Sequence, residues 1–253
     1  MTNKTRTDGR GAADLRPVEI ETGVQKNPEG SVLYACGGTK VLISASVEDG
    51  VQEFMRGRGA GWVTGEYQMH PRANPDRQRR EGRNGKLGGR TQEIQRLIGR
   101  ALRAAVRPER MGERTITIDC DVLDADGGTR TASVTGGFVA LALACDHLRR
   151  RGLVRPGVLR EPVAATSVGL LSGSALLDLC YVEDRDAQVD LNLVATASGD
   201  IIEVQGTAEG EPMSRKEHDA LVDRALEGIA NLCALQRRTL DEAGVDLAAL
   251  LGK

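Results

Sequence analysis

Thr115-Ile116-Thr117-Ile118-Asp119-Cys120-Asp121-Val122, followed closely by Asp124-Ala125-Asp126-Gly127-Gly128-Thr129-Arg130-Thr131-Ala132-Ser133, is the stretch on which the reading of this chain turns. The first run alternates apolar and polar side chains, the period of a half-buried strand. From Ala132 to Leu148 the residues are apolar in the manner of a buried helix. A strand therefore feeds a glycine turn, and the turn opens a helix. A helix start has unpaired N–H groups and a partial positive charge, so it can hold a phosphate. Gly127 and Gly128 let the backbone approach closely, and Arg130 adds a planar fork for two phosphate oxygens. The same residues also read as a plain helix entry capped by Thr129. There is no GKS or GKT and no GxGxxG, so neither a Walker loop nor a dinucleotide fingerprint is present.

The 253 residues are ample for a buried core, and 40% hydrophobic with 28% charged residues is a globular balance. Aromatic residues are only 2%, so the core is expected to be aliphatic and base-stacking platforms scarce. A formal net charge of −2 does not suggest a polyanion partner, but the charge is unevenly spread. From Arg56 to Arg110 there are thirteen Arg and one Lys against five acids, a surplus of nine positive charges that leaves the remainder at −11. Such asymmetry suits a local polyanion site on an acidic chain. The five cysteines are odd in number, far apart and set in apolar runs without CxxC spacing. They read as buried reduced thiols rather than a zinc site or a disulfide frame. With no apolar signal core at Met1–Arg6 and no run expected to span a membrane, a soluble cytoplasmic protein is expected.

Residues 31–47 predict a hairpin through Gly37-Gly38. A polar loop of about twenty residues, 68–89, follows; loops of that length are usually functional or mobile. Ile94, Leu97, Ile98, Ala101, Leu102 and Ala105 predict a helix with a core face. Arg96, Arg100, Arg103 and Arg107 form a second stripe on it, readable either as a solvated face or as a basic surface. Segments 163–171 and 174–183 predict a second hairpin, and 187–197 with 201–206 a third. Ser214 and Glu217 match a capping box at the start of a last helix, buried through Leu221, Ala225, Ile229, Leu232 and Leu235. Each half thus offers a sheet followed by helices, an α+β arrangement of two related units. If strand 187–197 begins early and is regular, residues 184, 186, 188 and 190 share one face, opposite Val189, Leu191 and Leu193. That acidic face reads as a hydrophilic strand edge or as a set of oxygen ligands for a hard cation. Trp62 is expected as a core anchor.

The motifs RTDGRGAADLRPV, GSVLYACGGTKVL, GAGWVTGEY, GGRTQEIQRLIGRALR, TIDCDVLDADGGTRTASVTGG, EDRDAQVDLN and EVQGTAEG resemble those of bacterial RNase PH, in the family's order and nearly end to end. The resemblance implies a duplicated βαβ-type α+β fold with mixed sheets and packed helices. It would form a single domain of two pseudo-repeated halves, roughly 10–150 and 151–245. It also implies a phosphate-dependent tRNA nucleotidyltransferase. Such an enzyme is a 3′→5′ exoribonuclease that trims transfer RNA precursors and other RNA 3′ ends by phosphorolysis. It releases nucleoside diphosphates, and the reverse reaction adds nucleotides. On that resemblance Asp184, Asp190 and Arg130 are catalytic, the two acids in association with Mg²⁺. Arg90, Gly128, Thr129 and Arg130 bind the co-substrate phosphate. Arg72, Arg77, Arg79, Arg80, Arg83 and Arg96 contact RNA. A homo-hexamer built as a trimer of dimers is implied, with no membrane or DNA partner. One departure is Gln188, where the family carries Glu, which removes a charge near the acids. Two other classes, a non-catalytic RNA-binding ring subunit and a small-molecule phosphotransferase, are disfavoured. The first is opposed by Arg130 together with the Asp184/Asp190 pair, the second by the breadth of the basic segment.

Overall fold

A computed structural model describes Arg6 and residues 8–252, the side chains of Arg83 and Asn84 excepted. The first half contributes β1 (Val18–Thr22), β2 (Gly30–Cys36), β3 (Thr39–Asp49), β4 (Trp62–Met69), α1 (Gly89–Ala105), β5 (Arg114–Asp124) and α2 (Thr129–Arg150). Its sheet runs β1-β2-β3-β5-β4 and is antiparallel except where β4 pairs with β5, across the α1 crossover. The second half adds β6 (Val163–Leu171), β7 (Ser174–Leu177), α3 (Tyr181–Asp186), β8 (Val189–Thr196), β9 (Ile201–Ala208), α4 (Arg215–Glu242) and α5 (Leu247–Leu251). Its antiparallel sheet has the order β7-β6-β8-β9.

The alternation that predicted β5 is realised, with Ile116, Ile118, Cys120 and Val122 buried and Asp121 exposed. The predicted core face of α1 is buried throughout. Helix α2 is apolar on nearly every side because it packs on β2, β3 and β5 of one sheet and on β6 of the other. By length and composition it could cross a membrane, contrary to the expectation that no run reaches that length. Its burial between the sheets explains its composition. All five cysteines are buried and free, as expected.

Close approach of α2 to β2 demands glycine at position 30. A Cβ there would run into the Ala140 carbonyl oxygen and lie 3.1 Å from the Ala144 nitrogen, both backbone atoms. Overpacking of this kind costs about 1–3 kcal/mol. Gly30→Ala is therefore expected to lower the urea midpoint with little change in m-value; an unchanged midpoint would contradict so tight a contact.

Three local expectations are corrected. The hairpin after β6 turns at Ser172 and Gly173, both with positive φ as a two-residue turn requires, but its second strand ends at Leu177 rather than running to 183. Residues 181–186 form a helix, so 184, 186, 188 and 190 do not share a strand face. The cause is a capping box: Cys180 and Glu183 bond reciprocally, with Glu183 drawn inside by Arg6 at 2.6 Å. Trp62 is half-buried on edge strand β4, covered by Phe54 (5.2 Å between ring centroids) and the Arg103 guanidinium (4.3 Å), and is not a core anchor. The capping box at Ser214 and Glu217 is present as predicted.

The segment before β1 crosses to the second half, where Arg16 donates to the buried Asp178 carboxylate at 2.6–2.9 Å. Burial alone would raise the Asp178 pKa, but hydrogen bonds and charge from Arg16 outweigh it and hold the carboxyl below its usual value. A carboxylate depressed in the folded state contributes stability that is full above its unfolded pKa of about 3.9 and is lost as pH falls through the folded value. Unfolding free energy from urea titrations between pH 5 and 2.5 should fall, and Asp178→Asn should flatten part of that slope. An unaltered slope would refute the assignment.

Candidate active site

The turn between β5 and α2 has the conformation its glycines predict: φ is +76° at Gly127 and +66° at Gly128. Thr39 braces it, donating to the Gly127 carbonyl (2.7 Å) and accepting from the Asp126 N–H (2.9 Å). Gly128, not Thr129, occupies the N-cap position of α2, and no side chain caps the helix. The Thr129 hydroxyl instead shares a 2.8 Å hydrogen bond with Tyr67, so its predicted capping role is corrected. Helix α1 begins after an extended Gly88 with no cap bond from that residue, and Glu81 accepts from the Gly88 N–H (3.0 Å) and the Thr91 hydroxyl (2.9 Å). Two helix N-termini thus meet at one place, that of α2 free of any side-chain cap. Gly128, Thr129, Arg130, Arg90 and Thr91 all line a single cleft of about 440 Å³. Unpaired N–H groups and two guanidinium forks there make an anion site.

The second half supplies the opposite charge. Asp184 comes from α3 and Asp190 from the start of β8, and both line the same cleft with Ser167 and Asn192. The Asn192 amide donates to Asp190 at 3.4 Å. Burial and then the neighbouring Asp184 charge push the Asp190 carboxyl up to about 6, against the pull of Arg130, Asn192 and Arg90. Asp184 is also raised, chiefly by burial, with Arg130 and Arg90 opposing. The predicted anion turn and the predicted acids, 54 residues apart between Arg130 and Asp184, therefore form one electrostatic unit. Val189, Leu191 and Leu193 are buried on the other face of β8, as expected.

Arg130 is held from behind: it donates to Gln205 on β9 (3.0 Å) and lies 3.5 Å from Glu93 on α1. Gln205 in turn donates to Glu93 and Glu203. Gln205 and Glu93 lie within the motifs EVQGTAEG and GGRTQEIQRLIGRALR, but nothing in their spacing marks them as partners of Arg130, so sequence reading missed that role. Tyr181, an exposed residue of the cleft lining, was also missed, hidden by the expectation of a strand there.

The arginines of the basic segment divide. Arg79 lines the cleft, while Arg72, Arg77 and Arg80 are exposed in the surrounding loop. The Arg83 side chain lies outside the described residues. Arg96 does not join the cleft; it lines a separate groove with Trp62, Glu66 and Gln95. The rest of the predicted stripe is engaged in internal bonds, though Arg100 keeps part of its side chain in solvent and Arg107 lies beyond the end of α1. Arg100 makes a two-pronged pair with Glu203 (2.8 and 2.5 Å), Arg103 donates to the Val63 carbonyl, and Arg107 donates to the carbonyls of Gly157 and Leu159. Gln188 is exposed and outside the cleft lining, so the missing charge is not one that faces it.

Comparison with known proteins agrees with this geometry. Residues 14–145 match domain 1 of the 3′ exoribonuclease family RNase PH, and residues 161–228 match domain 2. Ribonuclease PH of Syntrophomonas wolfei is 52% identical over 235 residues, covering 93% of this chain and 98% of that protein. Two solved structures share the fold at lower identity. One is rice (Oryza sativa) Rrp46, at TM-score 0.75 and 19% identity, with 93% of this chain and 100% of that one aligned. The other is an Archaeoglobus fulgidus exosome with RNA bound to the active site, at TM-score 0.74 and 20% identity, with 91% and 92% aligned. On a family match that spans both halves and a near full-length relative at half identity, the chain belongs to the RNase PH family of 3′ exoribonucleases.

Proposed function

We propose that this phosphorolytic 3′→5′ exoribonuclease trims the 3′ ends of transfer RNA precursors, with inorganic phosphate as nucleophile in the cleft described above. One observation carries the reading: two converging helix N-termini, bearing Arg90 and Arg130, share a single cleft with Asp184 and Asp190. Phosphorolysis brings an anionic nucleophile to an anionic diester, so charge neutralisation is its central difficulty. Arg90, Arg130 and the open N–H groups hold and orient the phosphate. Its oxygen attacks the last internucleotide phosphorus, the bond from that phosphorus to the 3′-oxygen breaks, and a nucleoside diphosphate leaves. The RNA, one nucleotide shorter, ends in a free 3′-hydroxyl. Positioning and preorganised charge account for the acceleration. One phosphodiester is exchanged for one phosphoanhydride, so high nucleoside diphosphate should drive the reverse addition.

Asp184 and Asp190 fit Mg²⁺ by donor chemistry. They are hard oxygen donors, and their mutual repulsion leaves this side of the cleft short of positive charge. Among the described residues no group of three or more His, Cys, Asp or Glu forms a closed cage. A two-carboxylate site completed by water and substrate phosphate is the usual Mg²⁺ arrangement. The ion would neutralise charge on the scissile group and the departing oxygen.

The decisive experiment incubates the protein with a 3′-extended transfer RNA, with and without phosphate. Nucleoside diphosphates released only with phosphate are expected. Monophosphates without phosphate would mean hydrolysis, and no release would mean a passive RNA binder. Exposed arginines of the loop around the cleft also support a homo-hexameric ring that repeats the basic surface. RNA affinity should then fall steeply with salt through counterion release. A fully active monomer in light scattering, or affinity indifferent to salt, would reject the ring.

A further inference from the structure

Arg16 reaches two elements of the cleft at once. Its Nη1 donates to the Asp126 carbonyl of the glycine turn (2.5 Å), while its backbone N, Nε and Nη2 donate to the Asp178 carboxylate just before α3 (2.8, 2.9 and 2.6 Å). The turn touches α3 directly as well, since Asp126 accepts from the Tyr181 N–H at 3.2 Å. Arg6 clamps the helix from the other side. It donates to both oxygens of Glu183 (2.7 and 2.6 Å) and to the carbonyls of Leu177 (2.7 Å) and Asp178 (2.8 Å). Glu183 is the capping residue of α3 and the neighbour of Asp184. Arg10 lies 3.6 Å from both carboxylates. Asp178 itself holds a left-handed φ of +53°, a conformation that persists in a non-glycine residue only where its surroundings dictate it.

We infer that Arg16–Asp178 and Arg6–Glu183 act as a buried strap that sets the phosphate turn in register with the carboxylate-bearing helix, so that Arg16 and Arg6 are positioning residues. Stability alone is a weak reason for such a network. Buried ion pairs are often replaceable by apolar residues without loss, and their attested use is to specify one arrangement. This one lies at the junction between the two halves of the cleft, where a small displacement would separate anion site from acids. Displacements of about 1 Å cost on the order of 10²-fold in rate. Phosphate binding at the turn and cation binding at Asp184 and Asp190 should therefore be coupled through the strap.

This rests on the proposed phosphate and Mg²⁺ sites, and calorimetry tests it apart from RNA degradation. Inorganic phosphate is titrated into wild type and Arg16→Lys, each with and without Mg²⁺. Lysine keeps the charge but cannot bridge Asp126 and Asp178 with a fork. The expected result is phosphate affinity about tenfold weaker in the variant, with the strengthening by Mg²⁺ lost. Asp178→Asn, which takes the charged partner from the Arg16 fork at a buried position outside the cleft lining, should shift both quantities in the same direction by less, and serves if Arg16→Lys does not fold. A folded variant with unchanged phosphate affinity and unchanged Mg²⁺ dependence, differing only in melting temperature, would overturn the strap as a positioning device. So would a wild type that binds no phosphate. Wild type that binds phosphate with Mg²⁺ coupling yet releases no diphosphates from RNA would sink the proposed function and leave the strap standing.

Discussion

Arg130→Ala is expected to lower phosphorolysis by about 10²–10³ in kcat/KM while leaving the fold intact. The side chain is one-fifth exposed and fills no core space, so its removal deletes a charged fork rather than packing. It also leaves Glu93, behind Arg130 and 3.5 Å from it, without that cation. Loss of one preorganised charge-assisted donor costs roughly 2.7–4 kcal/mol of transition-state stabilisation, which sets the size of the effect. The phosphate KM should rise along with the fall in kcat, because the same fork serves ground state and transition state. Steady-state rates across a phosphate titration, with thermal melts as control, decide the matter. Unchanged KM and kcat in a folded variant would remove Arg130 from the phosphate site.

Asp190→Asn should have a comparable effect, on the order of 10²-fold or more in kcat, through several kcal/mol of lost charge stabilisation. Asparagine keeps the size and keeps an acceptor for the Asn192 amide, so β8 should be undisturbed. It removes the like charge beside Asp184, and folding stability is therefore not expected to fall. The combination of undiminished stability with collapsed activity distinguishes a cation-binding acid from a strand-edge charge. Excess Mg²⁺ should recover little of the rate, since the missing ligand cannot be replaced by mass action alone. Normal activity across a Mg²⁺ titration would return Asp190 to a structural role.

Elements with a long, regular hydrophobic period were legible from the residues. Strand β5, helix α1 and the capping box of α4 follow from spacing and α2 from a continuous apolar run, because period 2, period 3.6, a Ser-x-x-Glu signal and run length are local. The glycine turn was legible too, through two glycines and an arginine at a strand-to-helix junction. Helix α3 was not. At six residues it is too short to show a period, and it depends on Glu183 being drawn in by Arg6, 177 positions away. Its existence changes how Asp184 is presented: the acid stands on a helix packed against the glycine turn, not on the strand that bears Asp190. The arginine stripe of α1 failed for the related reason that its partners are distant. Glu203 on β9 and the carbonyls of residues 157 and 159 engage Arg100 and Arg107 only after the halves meet.

The sequence by itself determined the long strands and helices and where the glycine turn lies, because those follow from side-chain type and near-neighbour spacing, while the roles of Arg90, Asp184 and Asp190 came only with the family resemblance. Only the tertiary structure decided that Arg90, Arg130, Asp184 and Asp190 share one cleft, that most of the α1 stripe is tied into internal bonds, and that buried arginines before β1 join the two sides of the site. The physical reason is range. Periodicity and capping act over a few residues, whereas burial, ion pairing and the convergence of helix N-termini exist only once segments far apart in the chain exclude water together.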